Sequence, residues 1–264
     1  MKQFILTDQP DVSGSLRITG RDFHYLVHVR RAALNDILNA ALPSGGLCRL
    51  RITQINTDSL LCEIINQDNP AQKKNEKEKP QHPAIILFQA MPKGAKLDLI
   101  VRQAAELELS EIVPFYSEHS VPRPKDGCVR MERLHRIVKE ARQQSGSQIQ
   151  TVVKPPLDFS LMRGYWNSIN IKHKKTTGFL LQETSLEKNT FHEYLDMEAA
   201  AVVLAVGPEG GFSAGEVKEF ASMGFIPIKL GGAILRTETS ALYAAAVVRT
   251  LILEKALWKS CASV

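Results

Sequence analysis

The chain has 264 residues, of which 44% are hydrophobic and 23% charged, with a formal net charge of +5. That apolar content excludes wholesale disorder, and no apolar run approaches the ~18 residues of a membrane-spanning helix. Met1–Pro10 carries one lysine and no long apolar stretch before Asp8, so it does not read as a secretory signal and a cytoplasmic location is expected.

Residues 1–70 read as short alternating strands, clearest at Leu47–Ile52 and Ser59–Ile65, interrupted by one helix near Asp22–Arg31. A small β-barrel-like domain fits that pattern. Residues 71–83, AQKKNEKEKPQHP, are charged, bracketed by proline and without apolar periodicity, which predicts a linker. From residue 84 to 264 strands and helices alternate. Strands are predicted at Ala84–Ala90, Glu111–Phe115, Thr177–Leu181, Ala200–Val206 and Ile226–Leu230. Helices are predicted at Lys96–Leu107 and Val129–Gln144, each with one apolar face. Ser213 with Glu216 forms a capping-box signature, Gly224 a stop, and a last helix runs from Thr237–Thr239 to about Trp258. Its Ala244–Ala246 stretch suits close packing, internal or against a second subunit. Near-continuous apolar strands alternating with helices imply an α/β fold with a parallel sheet covered on both faces.

Charge is unevenly placed. Residues 1–70 hold seven basic and seven acidic residues, whereas residues 121–175 hold twelve basic and four acidic, a local net of +8. A polyanion is the partner this implies, with a solvated basic face as the alternative. Cys48, Cys62, Cys128 and Cys261 are scattered with no C-x-x-C pair, so no metal site is expected.

Two segments carry candidate chemistry. Gly207-Pro208-Glu209-Gly210-Gly211-Phe212 follows an apolar strand, where glycines let backbone approach a ligand at a strand's carboxyl end. No Gly-Lys-Ser/Thr follows and no G-x-G-x-x-G is present, which excludes a Walker loop and a dinucleotide fingerprint. An ordinary glycine-rich turn is the alternative. Leu230–Ala241, LGGAILRTETSA, again leads from strand through glycines into a helix. There Arg236 can pair with a phosphate or base oxygen. Glu238 sits where a helix N-terminus favours its charge.

GPEGGFS followed by LG..ILRTETSA resembles the signature pair of the RsmE family, methyltransferases of the knotted SPOUT class that modify N3 of a uridine in 16S ribosomal RNA. MPKGAKLDLIVRQAAELELSEIVPFYSEHS, EARQQSG and DFHYLVHVR are similar to further family segments, so the likeness spans about Phe4 to Leu257. It implies a PUA-like RNA-binding barrel over 1–70. It also implies an α/β domain over 84–264 with a deep trefoil knot whose loops bind S-adenosylmethionine, working as a homodimer. This chain departs from the family at Gly232 and Ala233, at Ser147 and at His119, where basic residues or proline are usual.

On that resemblance Leu180, Leu181, Gln182, Gly207, Pro208, Glu209, Gly210, Leu230, Gly231, Ile234, Leu235 and Thr239 are expected to bind S-adenosylmethionine, with no metal. Gly210 is expected to be glycine because the ligand approaches it. Arg236 is expected to stabilise the deprotonated uracil, with Glu238 as general base unless it caps the last helix. RNA contacts are expected from Arg21, His24, Arg30 and Arg31, and from Lys93, Arg123, Lys125, Arg130, Arg133 and Arg136. Two alternatives stand: a non-catalytic ribosome-assembly RNA-binding protein, which needs no open cofactor cleft, and a ribose 2′-hydroxyl methyltransferase. The second typically carries an S-L-N stretch where this chain has LRTETSA.

Overall fold

The computed structural model describes residues 3–43, 46–67, 83–121, 129–182, 191–195 and 199–261. The expected linker lies outside the described residues except for Pro83, as do Arg123 and Lys125. The chain forms two compact units: Met1–Glu78 with Arg142–Gln148, and Lys79–Ala141 with Ile149–Val264. Residues 142–148 join the first unit through hydrogen bonds that no sequence pattern announces. Gln3 Nε2 donates to the Ser147 carbonyl at 2.8 Å and to that of Arg142 at 3.3 Å.

The first unit contains β1 (Phe4–Ile5), β2 (Ser15–Thr19), α1 (Gly20–His24), β3 (Ile37–Ala41), β4 (Leu47–Ile55) and β5 (Ser59–Gln67). They pair in the order β1-β3-β4-β5-β2, antiparallel except for β1 with β3. Alternation puts Leu16, Ile18, Leu50, Ile52 and Leu60 inside, where Phe23 and Leu26 cover them. The helix expected over 22–31 starts earlier and ends earlier. After α1 the chain widens into one π-turn over Tyr25–Val29, closed by the Arg30 N–H donating to the Tyr25 carbonyl at 2.9 Å. Arg31, at φ 56°, stands beyond it.

The second unit contains β6 (Ala84–Ala90), α2 (Lys96–Glu106), β7 (Glu111–Tyr116), α3 (Met131–Ser145, whose last turn belongs to the first unit), β8 (Val152–Val153), β9 (Leu157–Asp158), α4 (Met162–His173), β10 (Thr176–Leu181), α5 (Phe191–Tyr194), β11 (Ala201–Val206), α6 (Ala214–Ser222), β12 (Ile226–Ile228) and α7 (Thr237–Cys261). Its sheet runs β12-β10-β11-β6-β7-β8, with β9 also on β7, and every pair is parallel. Both faces are buried. Leu87, Val202, Leu204 and Val206 meet α2, α3 and α7, while Phe88, Val203 and Ala205 meet α4 and α6. The strongly apolar strands fall as their composition dictates. α4 was not expected from MRGYWNSINIKH, which mixes Gly and polar residues. Its stripe of Met162, Trp166 and Ile169 is sparse but buried. Among the described residues, no helix is long and apolar enough to cross a membrane, and no group of His, Cys, Asp and Glu is arranged to hold a metal.

Candidate active site

Strands β12, β10 and β11 are parallel neighbours, so their carboxyl ends open side by side. The segments leaving them enclose a cleft of about 600 Å³, within the usual size of small-molecule sites. One wall is Val206–Phe212, the other Ile228–Leu230 with Ala233–Thr237, and Leu181 and Gln182 form the floor between them. Backbone dominates the first wall, and Leu230, Ile234 and Leu235 give the second an apolar surface. Positive φ at Gly211 (69°) and Gly231 (79°) turns each wall back on itself, a geometry that favours glycine.

Of the residues expected here, Leu181, Gln182, Gly207, Pro208, Glu209, Gly210, Leu230, Ile234, Leu235 and Arg236 line the cleft. Leu180, Gly231 and Thr239 do not. Strand alternation turns Leu180 into the core opposite Leu181. Gly231 shapes the turn without facing the cavity. Thr239 is exposed on α7, and Thr237 and Ser240 line the cleft in its place. Thr237 is buried and ties the walls together. Its Oγ1 donates to the Gly207 carbonyl at 2.6 Å and accepts from Gln89 Nε2 at 2.9 Å. Gln89 was overlooked, although a glutamine inside AIILFQA is a buried polar group that must find a partner.

A second tie is ionic. Lys96 Nζ, at the start of α2, lies 2.8 Å from Glu209 and 3.2 Å from Glu238. The Lys93 N–H also donates to Glu209 at 3.2 Å. The bond to Glu209 is the main reason the Lys96 ammonium is held above its ordinary pKa. Burial alone would push the Glu209 carboxyl up, but the bonds from Lys96 and from backbone N–H groups outweigh it and hold it low. Glu238 therefore faces Lys96 and the α2–α7 packing, with Gln103, Leu107 and Ala241 around it, and is not a cleft residue. Arg236 directly precedes α7 and lines the cleft, whereas Glu238 lies in the first turn of the helix and faces α2, a difference that their closeness in sequence conceals.

The far end of the glycine wall is anchored by Phe212, stacked on Phe115 at 6.3 Å, and by α6. The Ser213–Glu216 capping box is complete there, and the other Glu216 oxygen accepts from the Glu118 N–H at 2.9 Å. Outside this wall, His119 Nδ1 lies 3.1 Å from the Gly210 carbonyl and 3.2 Å from that of Gly211. Two carbonyls only accept, so Nδ1 carries the hydrogen. A Cβ on Gly210 would stand 3.1 Å from His119 Cβ. The histidine behind the loop is thus a reason for glycine at 210 that is separate from any ligand in the cleft in front of it.

The basic residues expected to meet RNA divide by partner. Arg21, His24, Arg30, Arg31, Lys93 and Arg130 are exposed. Arg133 is held by Asp98 at 2.5 Å, and Arg136 lies 3.8 Å from Glu140.

A cleft walled by backbone and aliphatic side chains at the carboxyl ends of parallel strands is the ligand site of an α/β enzyme. Comparison with known proteins makes the class specific. Residues 77–249 match the RNA methyltransferase domain and residues 18–65 the RNA methyltransferase PUA domain. The chain belongs to the RNA methyltransferase family. It is 28% identical to the ribosomal RNA small subunit methyltransferase E of Synechocystis sp. over 95% of this chain and 78% of that protein. It is also 28% identical to ribosomal RNA small subunit methyltransferase E 2 of Borreliella burgdorferi, over 96% and 98%. A crystal structure of the Neisseria gonorrhoeae ribosomal RNA small subunit methyltransferase E bound to S-adenosyl methionine superposes with a TM-score of 0.76. That pair shares 26% identity over 95% of this chain and 98% of the other.

Proposed function

We propose that this protein transfers a methyl group from S-adenosylmethionine to N3 of a specific uridine in 16S, small-subunit ribosomal RNA. The carrying observation is the cleft itself: the two signature segments form its opposite walls, with Arg236 among the lining residues. The cleft fits the cofactor. The glycine wall offers backbone groups for polar atoms, and Leu181, Leu230, Ile234 and Leu235 offer apolar contact for a purine. When bound, S-adenosylmethionine supplies a methyl group on a sulfonium, an electrophile that needs no metal.

Uridine N3 carries an imide proton, and neutral N3 is a poor nucleophile. Losing that proton makes the flanking carbonyl oxygens negative, and a permanent cation beside them lowers the substrate's pKa. Arg236 takes that role. With Glu238 committed to Lys96, the proton passes to water and the chemistry rests on Arg236 and on holding N3 in line. Mapping modified nucleosides in ribosomal RNA from a deletion strain tests the assignment. One N3-methylated uridine of 16S RNA should disappear and return when purified protein and S-adenosylmethionine are added to those subunits. An unchanged profile refutes it.

The reading extends to a deep trefoil knot around the cleft, a homodimer and a cytoplasmic location. Exposed Tyr243 and Leu253 on α7 support the dimer, whereas Ala244 and Ala245 are buried within the subunit. RNA affinity should fall steeply with salt. Arg30→Glu should weaken it more than Arg133→Glu, because Arg133 is already held by a carboxylate. Equal effects, or binding flat in salt, would reject this surface.

The loop makes its own prediction. Gly210→Ala should weaken S-adenosylmethionine binding roughly tenfold, an overpacking effect of ordinary size. His119→Gly in the same chain should restore much of it. Calorimetry on both variants checks this, and no recovery in the double variant would return the requirement to the ligand side.

A further inference from the structure

We infer that the open face of the first unit carries a built subsite for one unpaired nucleotide of the RNA, centred on Arg49 between Asn39 and Asn66. The inference rests on the RNA-methyltransferase reading and deepens it. The three residues stand in one row across adjacent strands β3, β4 and β5: Asn39 pairs in register with Arg49, and Arg49 with Asn66. With neighbouring strands about 4.8 Å apart, the row spans about 10 Å. It forms the floor of a groove of about 460 Å³, bounded on one side by Gln3, Ser145 and Gly146.

Two observations separate this row from an ordinary polar sheet face. Asparagine is depleted in strands, and two of them flanking an arginine in mid-sheet contradict local propensity. Such contradictions concentrate at functional positions. The other arginines of this face are compensated: Arg51 binds Glu63 at 3.2 Å, and Arg17 donates to Ser59 at 3.0 Å and lies 3.8 Å from Asp58. Among the described residues, no carboxylate pairs with Arg49.

The chemistry matches a nucleotide. A guanidinium takes a phosphate through two parallel donors. Each asparagine amide presents a donor and an acceptor side by side, the complement of a base edge, and unpaired RNA bases are the ones free to be read this way. Because each asparagine is the direct register neighbour of Arg49, the subsite sets an amide for the base beside the guanidinium for the phosphate of the same nucleotide.

The test uses the full chain and a 16S ribosomal RNA transcript, with affinity measured over a series of salt concentrations. Arg49→Gln should weaken binding several-fold and lower the slope of log affinity against log salt by about one. Asn39→Ala with Asn66→Ala should weaken binding several-fold with the slope unchanged, because amides release no counterions. In all variants calorimetric S-adenosylmethionine binding should match the wild type. A wild-type slope and affinity for Arg49→Gln, with the fold intact by circular dichroism, overturns the subsite while leaving the methyltransferase reading standing. A shifted slope for the asparagine pair, showing a general electrostatic change, also overturns it. Failure of the wild type itself to bind the transcript overturns both.

Discussion

Replacing Arg236 with alanine is expected to lower turnover on small ribosomal subunits by on the order of 10²–10³-fold, the usual cost of removing one group that stabilises developing charge. Cofactor affinity should change little. Arg236 is exposed at the cleft, and among the described residues no carboxylate holds it, so its charge is available to a substrate oxygen. Thr237, its neighbour, carries the structural tie to Gly207 and remains in place. Arg236→Lys should recover only part of the rate, because an ammonium keeps the charge but loses the planar fork. The rate deficit of Arg236→Ala should shrink as pH rises, since hydroxide takes over the deprotonation that the arginine assisted. Steady-state kinetics with saturating cofactor checks all three. Wild-type turnover in Arg236→Ala would end this mechanism, although the family assignment would survive it.

What the sequence reveals and conceals follows from what each feature depends on. Ala84–Ala90 is predicted with the same limits it has in the structure, because a strand buried on both faces is written as an unbroken apolar run. The Ser213–Glu216 box is equally local, its partners three residues apart. The cleft walls were identified because two long segments resemble a family, and the structure then shows which of their residues turn inward. Leu180 and Leu181 are indistinguishable in sequence, yet one faces core and the other cleft. The ties behind the walls were hidden for a different reason. Gln89 and Thr237 are 148 positions apart, and Lys96 and Glu209 are 113 apart. No periodicity in one chain can pair them. The same limit explains Glu238: its spacing from Arg236 suggested shared chemistry, while its partner, Lys96, comes from a helix that begins 142 residues earlier.

Lys96→Met is expected to weaken S-adenosylmethionine binding on the order of tenfold and to lower turnover at saturating cofactor much less. The ammonium joins Glu209, in the glycine wall, to Glu238, which directly follows the opposite wall. Thr237 fastens the walls from inside, so Lys96 is the outer half of a double clasp. Each partly exposed ion pair is a factor of a few in an equilibrium constant, and the substitution removes both at once. It also leaves two carboxylates near each other with no cation between them, and their repulsion spreads the walls. Lys96→Arg should restore most of the affinity, whereas a merely space-filling side chain would be replaced equally well by methionine. The pH dependence has a defined sign. Glu209 is held low, so the tie is present at neutral pH and is lost as pH falls through that lowered value. Lys96 is held high, so the tie is lost at the alkaline end as pH rises through that raised value. Wild-type affinity should therefore be flat across the neutral range. In Lys96→Met, burial of Glu209 no longer meets a cation, its carboxyl takes up a proton at higher pH, and the acid limb moves toward neutrality. Calorimetry between pH 4 and 8, roughly one unit apart, on wild type and both variants reads these differences. Cofactor binding by Lys96→Met that equals wild type at every pH would remove the clasp from the account of how this cleft is held.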